Sequence, residues 1–562
     1  MKKIFNSRAL ALILVLAMAV SLLTISASAT TISKVSIAEG EPVAIDWTQA
    51  GTTYTGTIVN SATLSSTVYS MPSSFTLWTE GEATFEAGTG ITVTAIGTSA
   101  DETNYSYKVD VSGIASGSTA TLVVTISSGT YTVALPSATP ISVGGTKPTS
   151  VLSYAPLGQF ARGNGWGSIY SNYANVAGST ASDALVKFAT GTGYESTGVS
   201  LGAFGGYIDF YFQGGITNDA KNPYGVDFVI YGNAFNANPE AGAVQVSEDG
   251  ITWYELAGSM YYDGNFNYTG EAGASRISNA YTGTLRNATI SYSQDSVIKA
   301  TVKDASGATK INAAQFVAST AWWPTVLKGY PAIAAHINSN ATSTSNVQVT
   351  CNDTVFSSTG VTLIPDSNTT ADYAFGYADV TPNGSPASYG DAVNPYTPYT
   401  SSKTGGDGFD LEWAVDITTG LPVDVTDMTF RYVRVYSAVL DNGMFGETST
   451  EVCGIFTTAN KATASVGTTA APTTVTVGGT AVTLSKTASG IQPVTIPKNT
   501  ATDVVVTGGS NSHIYINNTY GAGTATNSFT LARNATQIVR VIVQDNSTAQ
   551  PYVGYVMLKG GK

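Results

Sequence analysis

Residues 225–259 constrain the fold of this chain more than any other stretch. They hold three short runs rich in strand-forming residues, at 226–231, 243–247 and 251–256. Asp249 and Gly250 stand between the last two runs, and Asp and Gly tolerate the positive φ that tight hairpin turns need. The stretch therefore predicts antiparallel β-strands at the centre of a β-sandwich that displays loops.

The remaining sequence extends this pattern into an all-β, multi-domain protein of β-sandwiches. Its 562 residues are too many for one compact domain. Segments rich in Pro, Gly, Ser, Thr and Ala interrupt the strand-like runs and predict linkers. We expect a signal peptide at 1–29, an N-terminal β-domain at 30–136, a linker at 137–150, a central β-sandwich at 151–457, a linker at 458–475 and a C-terminal β-sandwich at 476–562.

The first 29 residues have the three parts of a secretory signal peptide. Lys2, Lys3 and Arg8 form a positive start, 9–25 are apolar, and Ala-Ser-Ala at 27–29 is a small-residue cleavage site. An uncleaved membrane anchor is the alternative. No second apolar run of spanning length follows, so we expect a secreted or cell-surface protein with no transmembrane segment after cleavage.

Charge and residue counts exclude several classes of function. The net charge is −13 with no basic run, which argues against nucleic acid as a partner. The two cysteines and two histidines, at positions 336, 351, 453 and 513, lack the close spacing of a structural zinc site. Cys351 and Cys453 fit either one disulfide or two buried thiols, and the sequence leaves both alternatives open.

One acidic group has the composition of a calcium site. Ca²⁺ prefers six to eight oxygen ligands from carboxylates and loop carbonyls, and glycine-rich acidic loops supply both. If the segment around 410–416 were a strand, its even-numbered acids would share one face. The alternative is a solvated acidic sheet edge. The candidate ligands are Asp379, Asp407, Asp410, Glu412 and Asp416.

Aromatic and amide side chains in the central region form a second candidate site. Flat aromatic faces bind the C–H faces of sugars, and asparagines bind hydroxyl groups. Trp322 and Trp323 are adjacent, so a strand would point them to opposite faces and one core could hardly bury both. Ordinary core packing is the alternative. The candidate ligand-binding residues are Trp166, Trp322, Trp323, Asn233, Asn236 and Asn238.

Signals of catalysis are weak, and we expect a protein that is not an enzyme. Neither His336 nor His513 has a nucleophile motif such as G-x-S-x-G nearby. Paired carboxylates would suit a glycosidase, but a chain with this many acids meets that condition easily. A carboxylate-based glycosidase therefore stays only as an alternative.

Seven phrases kept in order resemble a family of bacterial secreted or cell-surface proteins of unknown role. They include GVDFVIYGNAF, VSEDGITWYELAGS, GYAD, FDLEWAVD and GETSTEV, and lie at 154–160, 200–208, 225–235, 241–259, 376–379, 409–416 and 446–452. The hairpin phrase is also similar to that of galactose-binding-like jelly rolls. Residues 494–559 are similar to cadherin-like β-sandwich repeats. The resemblance implies a surface location and a binding-type architecture, and it supplies no ligand.

Together these features predict a secreted or cell-surface binding or adhesion protein. Its expected partner is an extracellular glycan or cell-envelope polymer, held by loops of the central β-sandwich, with Ca²⁺ as the expected cofactor. A structural, surface-layer-like envelope component and a protein that captures a small molecule at the surface are the alternatives.

Overall fold

The computed structural model describes residues 34–37, 43–60, 74–98, 104–115, 118–137, 148, 150–155, 199–232, 234, 239–270, 280–294, 298–314, 327–328, 355–365, 374–381, 390–397, 406–443 and 446–562. Strands make up 53% of the described residues and helical residues 3%, so the predicted all-β class is confirmed. Three single 3-10 turns are described, at Pro223–Gly225, Leu411–Trp413 and Ala488–Gly490. No helix in these ranges is long and apolar enough to cross a membrane.

The described residues form two compact units, one ending by residue 140 and the other beginning at residue 141. The strands of the first unit are β1 (Val35–Ile37), β2 (Val43–Ala50), β3 (Thr53–Asn60), β4 (Ser74–Glu80), β5 (Thr84–Ala87), β6 (Thr92–Thr98), β7 (Asn104–Asp110), β8 (Thr119–Ile126) and β9 (Gly129–Pro136).

The first unit is a sandwich of two sheets, ordered β1-β4-β7-β6 and β2-β3-β9-β8-β5. All its strand pairs are antiparallel except β3 with β9. Phe75 and Leu77 of the first sheet share one core with Leu122 and Val133 of the second. Side chains alternate between core and solvent along these strands, as the period of a strand requires.

The second unit begins with the strands of the central region. These are β10 (Ser150–Ala155), β11 (Val199–Ser200), β12 (Tyr207–Ile216), β13 (Phe228–Tyr231), β14 (Gly242–Ser247), β15 (Trp253–Leu256), β16 (Asn267–Tyr268), β17 (Tyr281–Thr282), β18 (Leu285–Gln294), β19 (Ile298–Lys303), β20 (Thr309–Ala314), β21 (Leu327–Lys328), β22 (Val355–Leu363), β23 (Asp407–Phe409), β24 (Ala414–Asp416), β25 (Phe430–Ser437), β26 (Asn442–Gly443), β27 (Gly446–Glu447), β28 (Glu451–Val452) and β29 (Gly454–Thr457).

A seven-stranded antiparallel sheet, ordered β21-β10-β12-β25-β14-β15-β24, is the scaffold of this region. One face, which carries Phe210 and Val244, packs on the three-stranded sheet β23-β13-β29 through Phe228. The other face, which carries Tyr436, packs on the four-stranded sheet β20-β19-β18-β22 through Ile290. Part of each face of the large sheet is therefore buried, which explains why its strands read as dense apolar and aromatic runs.

The C-terminal strands build two further sheets with a core of their own. They are β30 (Thr474–Val477), β31 (Thr480–Ala481), β32 (Pro493–Ile496), β33 (Thr502–Thr507), β34 (His513–Ile516), β35 (Thr519–Ala522), β36 (Thr524–Phe529), β37 (Thr536–Gln544) and β38 (Tyr552–Gly560). The sheet orders are β31-β30-β33-β36 and β32-β38-β37-β34-β35. We call these strands the C-terminal sheets.

The C-terminal sheets share a hydrophobic core with the central region. Tyr515, Ile542 and Tyr555 pack in the same cluster as Trp413. The hydroxyl of Tyr515 donates a hydrogen bond of 2.9 Å to the carbonyl oxygen of Tyr396 in the central region. The five-stranded C-terminal sheet therefore packs on its own core with one face and on the central region with the other.

Candidate functional site

Three carboxylates from distant parts of the chain meet in the central region. One oxygen of each of Glu240, Asp379 and Glu451 lies within 4.8 Å of the others. Asp379 is fully buried, Glu451 is 4% exposed and Glu240 is half-buried. Such a group of oxygens can hold a cation or share protons. We call these three residues the acidic triad.

Backbone hydrogen bonds fix the three segments that carry the acidic triad. Glu240 lies just before β14, and its N–H donates 3.0 Å to the carbonyl oxygen of Asp379. The N–H of Glu451, in β28, donates 2.9 Å to Oδ2 of Asp379. The hydroxyl of Ser449 donates 2.8 Å to Oε1 of Glu451. Asp379 is thus the centre from which the other two carboxylates are positioned.

The backbone around Asp379 is shaped for this role. Asp379 has φ of +61°, a left-handed conformation that Asp tolerates better than most residues. Gly232 faces its carboxylate closely, and a Cβ at that position would overlap Oδ1. A side chain at Gly232 would therefore push the carboxylate out of the triad.

The protonation of Glu240 reflects its crowded surroundings. Burial raises the pKa of its carboxyl above the usual value, while a hydrogen bond to Glu451 and one from the N–H of Ser449 lower it. Bringing carboxylates this close in a buried place disfavours full ionisation, because like charges repel strongly at low dielectric. A proton or a bound cation relieves that repulsion.

Ala234, which lies in the segment with the predicted asparagines, contacts the acidic triad. Its N–H donates 2.8 Å to Oδ1 of Asp379. The asparagines themselves, and the three predicted tryptophans, lie outside the described residues. They are Asn233, Asn236, Asn238, Trp166, Trp322 and Trp323.

Of the five predicted metal ligands, Asp379 and Asp407 lie near each other. Oδ2 of Asp407 accepts a hydrogen bond of 3.1 Å from the N–H of Val380. Asp407 also lines a small pocket with Phe375 and Thr381, with room for little more than one water molecule.

Asp410 and Glu412 belong to a different acidic group, with Asp227. Asp410 caps the 3-10 turn Leu411–Trp413 by accepting 2.8 Å from the N–H of Glu412. Oδ2 of Asp227 accepts 2.8 Å from the N–H of Leu411. Burial raises the pKa of Asp227 to about 7. Burial, together with the charges of Glu412 and Asp227, raises the pKa of Asp410 well above its usual value.

The expectation that Asp410, Glu412 and Asp416 share one strand face is wrong. The 3-10 turn stands between Asp410 and β24, so the two-residue period of a strand does not apply across it. Asp416 caps a separate turn, where Oδ1 accepts 2.7 Å from the N–H of Thr419. The five predicted ligands therefore do not form one group.

Sequence reasoning could not have assembled the acidic triad. Glu240 follows Pro239 just before β14, and Glu451 lies in the phrase GETSTEV. The three residues are joined only by the sheet and loop contacts of the folded chain. Gly232 is a local signal of this site, because a Cβ at that position would overlap the carboxylate of Asp379.

Cys453 is buried beside β13, and its N–H donates 2.6 Å to the carbonyl oxygen of Tyr231. Cys351 lies outside the described residues, so the disulfide stays a prediction. Comparison with known proteins adds no family: the sequence matches no family model, and no curated protein is detectably similar to it.

Proposed function

We propose that this chain is a secreted or cell-surface binding protein whose central region recognises an extracellular glycan in a calcium-dependent way. The observation that supports the proposal most is the acidic triad at the entrance to the loop of residues 233–238. Glu240, Asp379 and Glu451 each bring one carboxylate oxygen to the same place, and carboxylate oxygens are ligands that Ca²⁺ prefers. A cation there would fix the loop that carries Asn233, Asn236 and Asn238.

The coupling between ion and loop is direct. Oδ1 of Asp379 holds the N–H of Ala234, and the same carboxylate stands in the triad. Neutralising the triad would remove the repulsion among its carboxylates and would strengthen the hold of Asp379 on Ala234. A binding loop ordered in advance loses less conformational entropy on binding.

Calcium binding is tested first, by thermal unfolding in millimolar CaCl₂ and in EDTA. We expect calcium to raise the melting temperature of the wild type, because binding to the folded state alone stabilises it. Glu240→Gln should abolish the increase. Asp424→Asn is the matched control, since Asp424 is exposed and caps only its own turn through Thr426. Equal melting temperatures of the wild type in calcium and EDTA would contradict the calcium site.

Glycan recognition is tested next on a glycan array, in calcium and in EDTA. We expect the wild type to bind a subset of glycans in calcium only, and Trp322→Ala or Trp323→Ala to weaken that binding. Equal binding in calcium and in EDTA would show that the protein recognises a glycan without needing calcium. Binding to no glycan above background, with ordered assembly of the purified protein, would favour the structural envelope component instead.

A further inference from the structure

Glu255 is a carboxyl group buried at the contact between two sheets. It lies on β15 in the seven-stranded sheet and is 2% exposed. The hydroxyl of Tyr436 donates 2.6 Å to its Oε1, and the side-chain amide of Gln245 donates 2.9 Å to its Oε2. These partners come from β25 and β14, and both are uncharged donors.

The same network reaches β22, the edge strand of the four-stranded sheet. Nε2 of Gln245 also donates 2.8 Å to the carbonyl oxygen of Gly360. The N–H of Thr362 donates 2.8 Å to the hydroxyl oxygen of Tyr436, and the Thr362 side chain hydrogen-bonds Glu255. The carboxyl of Glu255 therefore stands at the centre of the polar contacts between the two sheets.

The charged and titratable groups around Glu255 do not neutralise a negative charge on it. Tyr261 and Tyr377 lie close enough to feel its charge, and burial raises the pKa of both, so both stay neutral at pH 7. Arg434 lies two strands away along the register and is bound to Asp209 at 2.7 Å.

Another cation, Arg286, belongs to β18 of the four-stranded sheet. It hydrogen-bonds Tyr261 and lies over the ring of that tyrosine, 5.3 Å from its centroid. The guanidinium of Arg286 is therefore held at Tyr261. A carboxylate at Glu255 would be held by hydrogen bonds alone, in a site from which water is excluded.

Burial has the expected effect on Glu255. It raises the pKa of the carboxyl to about 7, although the hydrogen bonds from Tyr436, Gln245 and Thr362 lower it. The unfolded or opened chain has an ordinary glutamate pKa near 4.3. Because the packed state holds its proton more tightly, the contact is most stable at acid pH and weakens as the pH rises toward 7.

We propose that Glu255 is a pH-sensitive switch of the contact between β15 and β22. As a neutral carboxyl it holds the four-stranded sheet against the seven-stranded sheet. As a carboxylate it loosens that contact, and β22 opens more often.

Hydrogen exchange of the full chain between pH 5 and pH 8.5 tests this switch. Peptides covering 355–363 are followed by mass spectrometry, and rates are corrected for the intrinsic pH dependence of exchange. We expect the opening constant of β22 to rise about tenfold per pH unit between pH 5 and 7, then to level off. Glu255→Gln mimics the neutral carboxyl and should flatten this dependence, whereas Asp424→Asn should leave it unchanged.

A second variant keeps the test decisive if Glu255→Gln fails to fold. Tyr436→Phe removes a donor that favours the carboxylate, so the midpoint of the pH dependence should move to higher pH. An opening constant of β22 that does not change with pH in the wild type overturns the proposal. So does the same pH dependence in Glu255→Gln, or an unmoved midpoint in Tyr436→Phe.

Discussion

Arg540 shows most clearly how a single residue joins the C-terminal sheets to the central region. It is 1% exposed, and its guanidinium donates to the carbonyl oxygens of Ala257 and Gly258, the latter at 2.7 Å. Its charge also lies over the rings of Tyr262 and Phe375, at 5.5 and 5.6 Å from their centroids. A buried charge is tolerated only with such partners.

Replacing Arg540 should lower the free energy of unfolding of the second unit. Arg540→Met keeps the apolar stem but leaves two buried carbonyl oxygens without their charged donor. We expect a loss of about 3 kcal/mol in the free energy of unfolding, measured by urea denaturation. Arg533→Met, at an exposed position, is the control and should change it by less than about 0.5 kcal/mol. A loss no larger than that of the control would show that Arg540 does not anchor the sheets.

Among the elements, the hairpin between β14 and β15 is the one that local sequence determines. Ser247 pairs with Trp253 across it, and Gly250 has φ of +75°. Oδ1 of Asp249 accepts from the N–H groups of Ile251 and Thr252, at 2.8 and 2.7 Å. The predicted antiparallel hairpin is confirmed, but its turn is longer than the tight Asp-Gly turn expected: residues 248–252 connect the strands. The turn contacts all lie within residues 247–252, which is why local sequence indicates the hairpin.

Removing the carboxylate of Asp249 should destabilise this hairpin. Asp249→Ala leaves two N–H groups of the turn without their acceptor, in a place where Asp249 is fully buried. We expect a loss of about 2 kcal/mol in the free energy of unfolding. Asp304→Ala changes a similar but exposed turn between β19 and β20 and should cost less. Equal losses would mean that burial of the turn does not matter.

The acidic segment around Asp410 shows a limit of prediction from local sequence. Its residues alternate acid with apolar, as in a strand, yet Asp410 caps a 3-10 turn. Contacts from distant parts of the chain hold this turn: the hydroxyl of Tyr396 donates to Oδ2 of Asp410, and Oδ2 of Asp227 accepts from the N–H of Leu411. In the same way, Glu240 and Glu451 are brought to Asp379 by sheet contacts that sequence spacing does not encode. Strand alternation and turn chemistry are local, whereas these sites are made by long-range pairing.

At the scale of the molecule, the C-terminal sheets and the segment before them are bound to the central region. The N–H of Thr458 donates 2.9 Å to the carbonyl oxygen of Asp227, and that of Ala462 donates 2.9 Å to the carbonyl oxygen of Lys221. Lys461 forms an ion pair of 3.0 Å with Asp219. The small-residue composition of 458–475 predicts a linker, whereas these contacts bind its first residues to the central region.

Limited proteolysis should distinguish a bound segment from a free one. Lys461 is the one tryptic site within 458–475. We expect trypsin to leave the bond after Lys461 intact in the folded protein and to cut it in urea, because a protease needs several residues of extended, unbonded chain. Mass spectrometry of the fragments gives the result. Rapid cleavage after Lys461 under native conditions would show that the segment is free.

The fluorescence of Trp413 reports on the hydrophobic core that the C-terminal sheets share with the central region. It is fully buried, its indole N–H donates 3.1 Å to the hydroxyl of Tyr396, and Phe375 and Phe409 pack around it. Of the described tryptophans, Trp47, Trp78 and Trp253 are each partly exposed. The emission of Trp413 should therefore be blue-shifted and shielded from acrylamide. Separation of the C-terminal sheets would then be visible as a red shift, with no label attached to the protein.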